Sequence, residues 1–115
     1  AHFKVKEFAC RDGSDAVLVA PRLVMVLESI RTYFGSAVVI NSGYRTPQYN
    51  AKVGGVTESQ HCYGTAADIS VEGQKPEQVA AYARQLMPDW GGVGIYSKQG
   101  FTHIDVREAK ADWIG

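Results

Sequence analysis

An excess of charge of either sign is missing from this chain: 12 Lys and Arg balance 12 Asp and Glu over 115 residues. Nucleic acid or an anionic membrane surface requires a basic footprint, so neither is an expected partner. A small charged substrate met by one or two placed arginines stays open. No apolar run approaches the roughly 20 residues that span a bilayer. Low-complexity stretches are also absent, and with 45% apolar residues the chain reads as folded. Only two cysteines are present, Cys10 and Cys62. Their spacing matches no zinc ribbon or redox motif. Two separate buried thiols are expected in preference to one disulfide, following the burial habit of free Cys. No signal peptide is read where Ala1-His2-Phe3-Lys4 opens into folded-looking sequence. A mature form, an excised domain and a protein exported by other means all stay open. The length makes one domain, residues 1–115, the default. It also suffices to bury a core without staples.

Histidine is scarce as well, with three in the chain: His2, His61 and His103. His61 stands seven residues before Asp68 in Ser-Gln-His-Cys-Tyr-Gly-Thr-Ala-Ala-Asp, and His103 follows in Phe-Thr-His-Ile-Asp-Val-Arg. Two imidazoles and one carboxylate with a further position open form a ligand set suited to a hydrolytic zinc ion. Hydrogen-bonded core histidines and a surface carboxylate are the plain alternative, and spacing alone does not separate the two. Cys62 would be a fourth ligand only at the expense of the open position, and neighbouring residues rarely both reach one ion.

The element pattern is α+β. Residues 3–9 alternate apolar and charged and predict a short strand or extended arm. Asp12-Gly13-Ser14-Asp15 predicts a turn. A helix is expected from Pro21 to Phe34, with Leu23, Leu27, Ile30 and Phe34 as its core stripe and Gly35 as its stop. Residues 37–40 predict a buried strand running into the polar loop 41–47, and 49–53 a helical turn before Gly54-Gly55. Residues 66–71 predict a strand with Asp68 and Ser70 on one face and Ile69 and Val71 on the other. A second helix opens at Pro76, carries Val79, Ala83, Leu86 and Met87, and breaks at Gly91-Gly92. Residues 93–96 and 101–107 predict a hairpin. In its second strand Ile104 and Val106 face one way, and His103, Asp105 and Arg107 the other. A solvated strand face usually carries Thr, Lys, Glu or Ser, so this His/Asp/Arg face predicts a site. The expected architecture is a small, mainly antiparallel sheet with helices packed on one face and a polar cleft on the other, a zinc cleft if His61, Asp68 and His103 are ligands. Trp90 and Trp113 are expected to supply packing area, and Tyr96 either packs or lines the cleft.

Three ordered blocks carry a resemblance over about residues 8–113. They are Ser42-Gly43-Tyr44-Arg45-Thr46-Pro47; Ser59-Gln60-His61 with Gly64, Ala66 and Asp68; and Gly92-Val93-Gly94 with Phe101-Thr102-His103-Ile104-Asp105. Together they resemble the zinc D-Ala-D-Ala carboxypeptidases and their endopeptidase relatives, closest to the small peptidase domains of bacterial and phage cell-wall enzymes. The resemblance implies a peptidoglycan peptide substrate and one catalytic Zn2+ on His61, Asp68 and His103. It also implies a substrate-recognising role for Arg45, whose guanidinium suits a terminal carboxylate. Tyr44 and Ser59 are candidate hydrogen-bonding walls or loop-shaping residues. The implied setting is extracellular, cell-wall-associated or phage-delivered, and a monomer is expected.

One departure stands out. Several members of that group carry an acid three positions before the last ligand histidine as general base, and here that position is Gly100. Asp105 is the nearest acid. It is a candidate catalytic base or water-orienting group, a partner that steadies His103, or an ion-pair partner of Arg45 or Arg107. A metal-stabilised peptide-binding module without turnover is the alternative function. A structural domain with buried histidines and no metal is a third.

Overall fold

Pro21 and Gly35 bound the longest element, helix α1 (Pro21–Phe34). Pro supplies a preset φ and lacks the N–H that a first helical turn would leave unpaired. Gly35 takes the left-handed conformation at φ 61° and returns its N–H to Arg31. The computed structural model describes residues 3–12, 17–55 and 59–115. Of the turn expected over residues 12–15, Gly13, Ser14 and Asp15 lie outside the described residues, as does His2.

The remaining elements are β1 (Val38–Ser42), α2 (Pro47–Lys52), β2 (Ala66–Val71), α3 (Pro76–Leu86), β3 (Gly92–Tyr96), β4 (Phe101–Asp105) and β5 (Ala111–Ile114). Single 3-10 turns form at Val5–Phe8 and Gln60–Tyr63. The five strands make one sheet in the order β1-β2-β4-β3-β5. Every pairing is antiparallel except the parallel β3–β5 pair. The architecture is therefore the expected α+β, with a mostly antiparallel sheet and three helices.

Side-chain alternation divides the sheet into two faces. Ala67, Ile69 and Val71 of β2, Val93 and Ile95 of β3 and Ile104 of β4 turn toward the helices. There they meet Leu23, Leu27 and Ile30 of α1 and Val79, Ala80 and Ala83 of α3, each at most 1% exposed. The opposite face carries Asp68, His103 and Asp105. The β2–β4 register sets Asp68 opposite His103, and Ala66 opposite Asp105. Between Ile40 and Ser42 the β1–β2 register shifts, as a bulge does, bending the strand into the loop that carries Arg45.

Three local expectations need correction. Residues 5–8 form a 3-10 turn, not a strand or extended arm. The Glu7 carboxylate accepts from the Lys4 N–H at 2.8 Å and holds the turn closed. Phe8 is buried while Val5 is 60% exposed. The last hairpin strand ends at Asp105, short of Arg107, because the Asp105 side chain takes the Arg107 N–H. Finally, β5 was not anticipated. It is four residues long with alternate positions exposed, and it is fixed by backbone bonds from Ala111 to Gly91 and from Gly115 to Ile95.

Candidate metal centre

Ser59 starts the segment that delivers His61. Its Oγ accepts the His61 N–H at 3.2 Å, and the 3-10 turn closes at Gly64, whose φ of 71° suits glycine. Arg45 N–H bonds the His61 carbonyl at 3.0 Å, so the arginine loop and the histidine turn are stitched together. Asp68 and His103 project from neighbouring strands. The ligand atoms of His61, Asp68 and His103 lie within 4.8 Å of one another, and all three residues are buried.

Each imidazole is oriented from behind. His61 Nδ1 lies 2.7 Å from the Gly43 carbonyl. A carbonyl only accepts, so Nδ1 carries the proton and Nε2 turns its lone pair to Asp68 Oδ2 at 3.3 Å. His103 Nε2 faces Asp105 Oδ2 at 2.8 Å, leaving Nδ1 directed at Asp68 Oδ1 at 3.0 Å. His61 Nε2, the Asp68 oxygens and His103 Nδ1 thus converge. A carbonyl or carboxylate on the far nitrogen of a metal-ligating histidine fixes its tautomer and raises its basicity.

Electrostatics agree with a cation position. Burial would push the Asp68 carboxyl up, but the adjoining imidazoles of His103 and His61 outweigh it and hold the group far below the usual carboxylate range. Burial likewise disfavours charged His103, yet bonds to Asp105 and Asp68 raise it above an ordinary imidazole. Two nitrogens and a carboxylate oxygen are the donor types zinc accepts, and the centre opens on a cleft of about 430 Å³.

The other residues singled out in the sequence fall in distinct places. Arg45 lines the cleft. Its Nε reaches Ser42 Oγ and its Nη1 reaches Asn50 Oδ1, each at 3.2 Å, and its Nη2 stands 3.6 Å from Asp68 Oδ2. Ser59 also lines the cleft. Tyr44 is half-buried outside that lining, with its N–H on the Phe8 carbonyl at 2.8 Å. Asp105 is wholly buried behind His103 and held by Arg107 Nε at 2.8 Å and Nη2 at 2.6 Å. Hydrogen bonds from His103 and Arg107 overcome burial and keep its carboxyl far below the usual range. Cys10 and Cys62 are free thiols. Burial pushes the Cys62 thiol up, against the nearby Arg45 charge. Gly100 closes the β3–β4 turn at φ 79°.

Three contributors escaped sequence reasoning. Asn50 is 4% exposed and braces Arg45. Trp113 of β5 covers His103, with ring centroids 4.9 Å apart, and donates to Tyr96 Oη at 2.9 Å. Gly94 makes room for it, since a Cβ there would come within 2.5 Å of the indole. The signal was present in the pairing of a small β3 residue with an aromatic near the end of the chain. Their adjacency depends on the β3–β5 register, which sets Gly94 opposite Trp113.

Residues 1–105 match the model of a known family, described as Peptidase M15. No curated protein sequence matches the chain.

Proposed function

The chain belongs to the peptidase M15 family, a metallopeptidase family, and on that premise we propose that it is a zinc-dependent hydrolase of peptidoglycan stem peptides or crosslinks. The convergence of His61 Nε2, Asp68 and His103 Nδ1 carries this reading. A zinc ion held there supplies Lewis acidity toward the scissile carbonyl and toward water. We take residues 1–115 as one peptidase domain that acts as a monomer, outside the cell or on its wall. Among the described residues no helix is long and apolar enough to cross a membrane.

The chain's own residues divide the work. Arg45, held by Ser42 and Asn50, presents its guanidinium beside the ligand Asp68 and clamps a substrate carboxylate. Ser59 shapes the turn that delivers His61, and its place in the cleft lets it meet substrate. Asp105 is a positioning residue. It holds His103 in the tautomer that leaves Nδ1 free for the metal, in place of the base role its sequence position allowed.

A second reading is favoured by one observation. Among the described residues the only carboxylate lining the cleft is Asp68. A metal-stabilised peptide-binding module without turnover fits that lining. Zinc-loaded protein incubated with purified stem peptides separates the two. Hydrolysis abolished by a chelator and restored by zinc supports the peptidase. Zinc and peptide binding without any product supports the module.

A further inference from the structure

Bracing Asp105 does not exhaust Arg107. Its Nε and Nη2 hold the two Asp105 oxygens, and its Cζ lies 5.4 Å from the Trp113 ring centroid. One edge of the guanidinium is thereby fixed. The side chain still keeps 31% of its surface open and lines the cleft, and among the described residues its Nη1 has no partner. Arg45 is built in the same manner, with two nitrogens braced and a third facing the site.

The two arginines terminate one polar chain. It runs Arg45–Asp68–His103–Asp105–Arg107, with successive contacts of 3.6, 3.0, 2.8 and 2.6 Å. Two of the candidate metal ligands, Asp68 and His103, lie between its ends. The one carboxylate in the described lining, Asp68, is turned to both imidazoles. The cleft therefore offers a guanidinium at each end of the candidate centre and no spare acid to repel an anion.

We propose that Arg107 is a second carboxylate anchor, so that the cleft selects short acidic peptides carrying an anionic group on each side of the scissile bond. The inference rests on the peptidase reading and narrows its substrate class. A guanidinium already fixed on one edge by a buried carboxylate loses little freedom when its other edge meets a substrate. Arg45 takes the terminal carboxylate, and Arg107 takes the one on the other side.

The probe is the stem pentapeptide L-Ala-γ-D-Glu-L-Lys-D-Ala-D-Ala in three forms: unmodified, amidated at the D-Glu α-carboxylate, and amidated at the C-terminus. The zinc-loaded protein is assayed for kcat and KM separately. Binding is read from Trp113 fluorescence in a Trp90→Phe background, at times short against turnover. Arg107→Gln should weaken binding of the unmodified peptide about tenfold or more. It should cost little for the peptide amidated at D-Glu, and as much as for the unmodified form when only the C-terminus is amidated. Equal losses on all three peptides, with turnover intact in the parent protein, overturn the anchor and leave the peptidase reading standing. A parent protein that neither binds nor cleaves any of the three removes both. Should Arg107→Gln lose its fold or its zinc, Arg107→Lys carries the same comparison. It must show a reduced but still peptide-dependent loss, and a uniform one overturns the anchor.

Discussion

His103 Nε2 lies 2.8 Å from Asp105 Oδ2, and the Asp105 carboxylate has no exposed surface. The aspartate shares the polar strand face with the histidine but stands behind it, between the imidazole and Arg107. On the proposed reading, its task is to aim Nδ1 at the Asp68 side of the cleft.

Asp105→Asn tests that task. Loss of the carboxylate should lower zinc affinity about 10–100-fold, as removal of such outer partners does. Turnover at saturating zinc should fall by far less than the about hundredfold or greater loss expected of a missing general base. Zinc titration and steady-state rates on one preparation separate the effects. A collapse of the zinc-saturated rate with normal affinity would return Asp105 to the catalytic role.

Gly92 offers a second route to the same support. A Cβ on Gly92 would lie 2.7 Å from the Asp105 Cγ, so the glycine is the space the carboxylate occupies. Gly92→Ala should displace Asp105, weaken zinc binding in the manner of Asp105→Asn, and lower stability by about 1–3 kcal/mol through overpacking. Denaturant melts and zinc titration check both. Wild-type zinc affinity in this variant would show that His103 needs no support from Asp105.

Arg45→Lys keeps the charge beside Asp68 but loses the paired geometry. KM should rise about tenfold or more on peptides with a free terminal carboxylate. The rise should shrink on terminally amidated peptides. Equal loss on both would reduce Arg45 to a brace between Ser42, Asn50 and the histidine turn.

Much of this centre was legible in the residues themselves. The period of Leu23, Leu27 and Ile30 places α1 on the core, and α1 runs over the residues expected of it. Period-two alternation puts Asp68 and His103 on the face away from the helices, where they meet across β2 and β4. Alternation assigns a face, however, and not a depth. It could not tell whether Asp105 points into the cleft or is buried against Arg107, because that depends on Gly92 leaving room from the neighbouring strand. Asn50 and Trp113 were illegible for a similar reason. Each acts through a contact that only the folded loop or the β3–β5 register creates. The arm at residues 3–9 misled because alternating charge resembles a strand, while Glu7 closes a local turn on Lys4.

The central claim is that His61, Asp68 and His103 hold one metal ion, and zinc stoichiometry tests it most directly. Protein dialysed against micromolar zinc and then against buffer should retain one zinc per chain. His61→Ala, with its fold confirmed by circular dichroism, should retain none and have no activity. A wild-type protein that keeps no zinc, or a His61→Ala variant that keeps a full equivalent, would contradict the assignment.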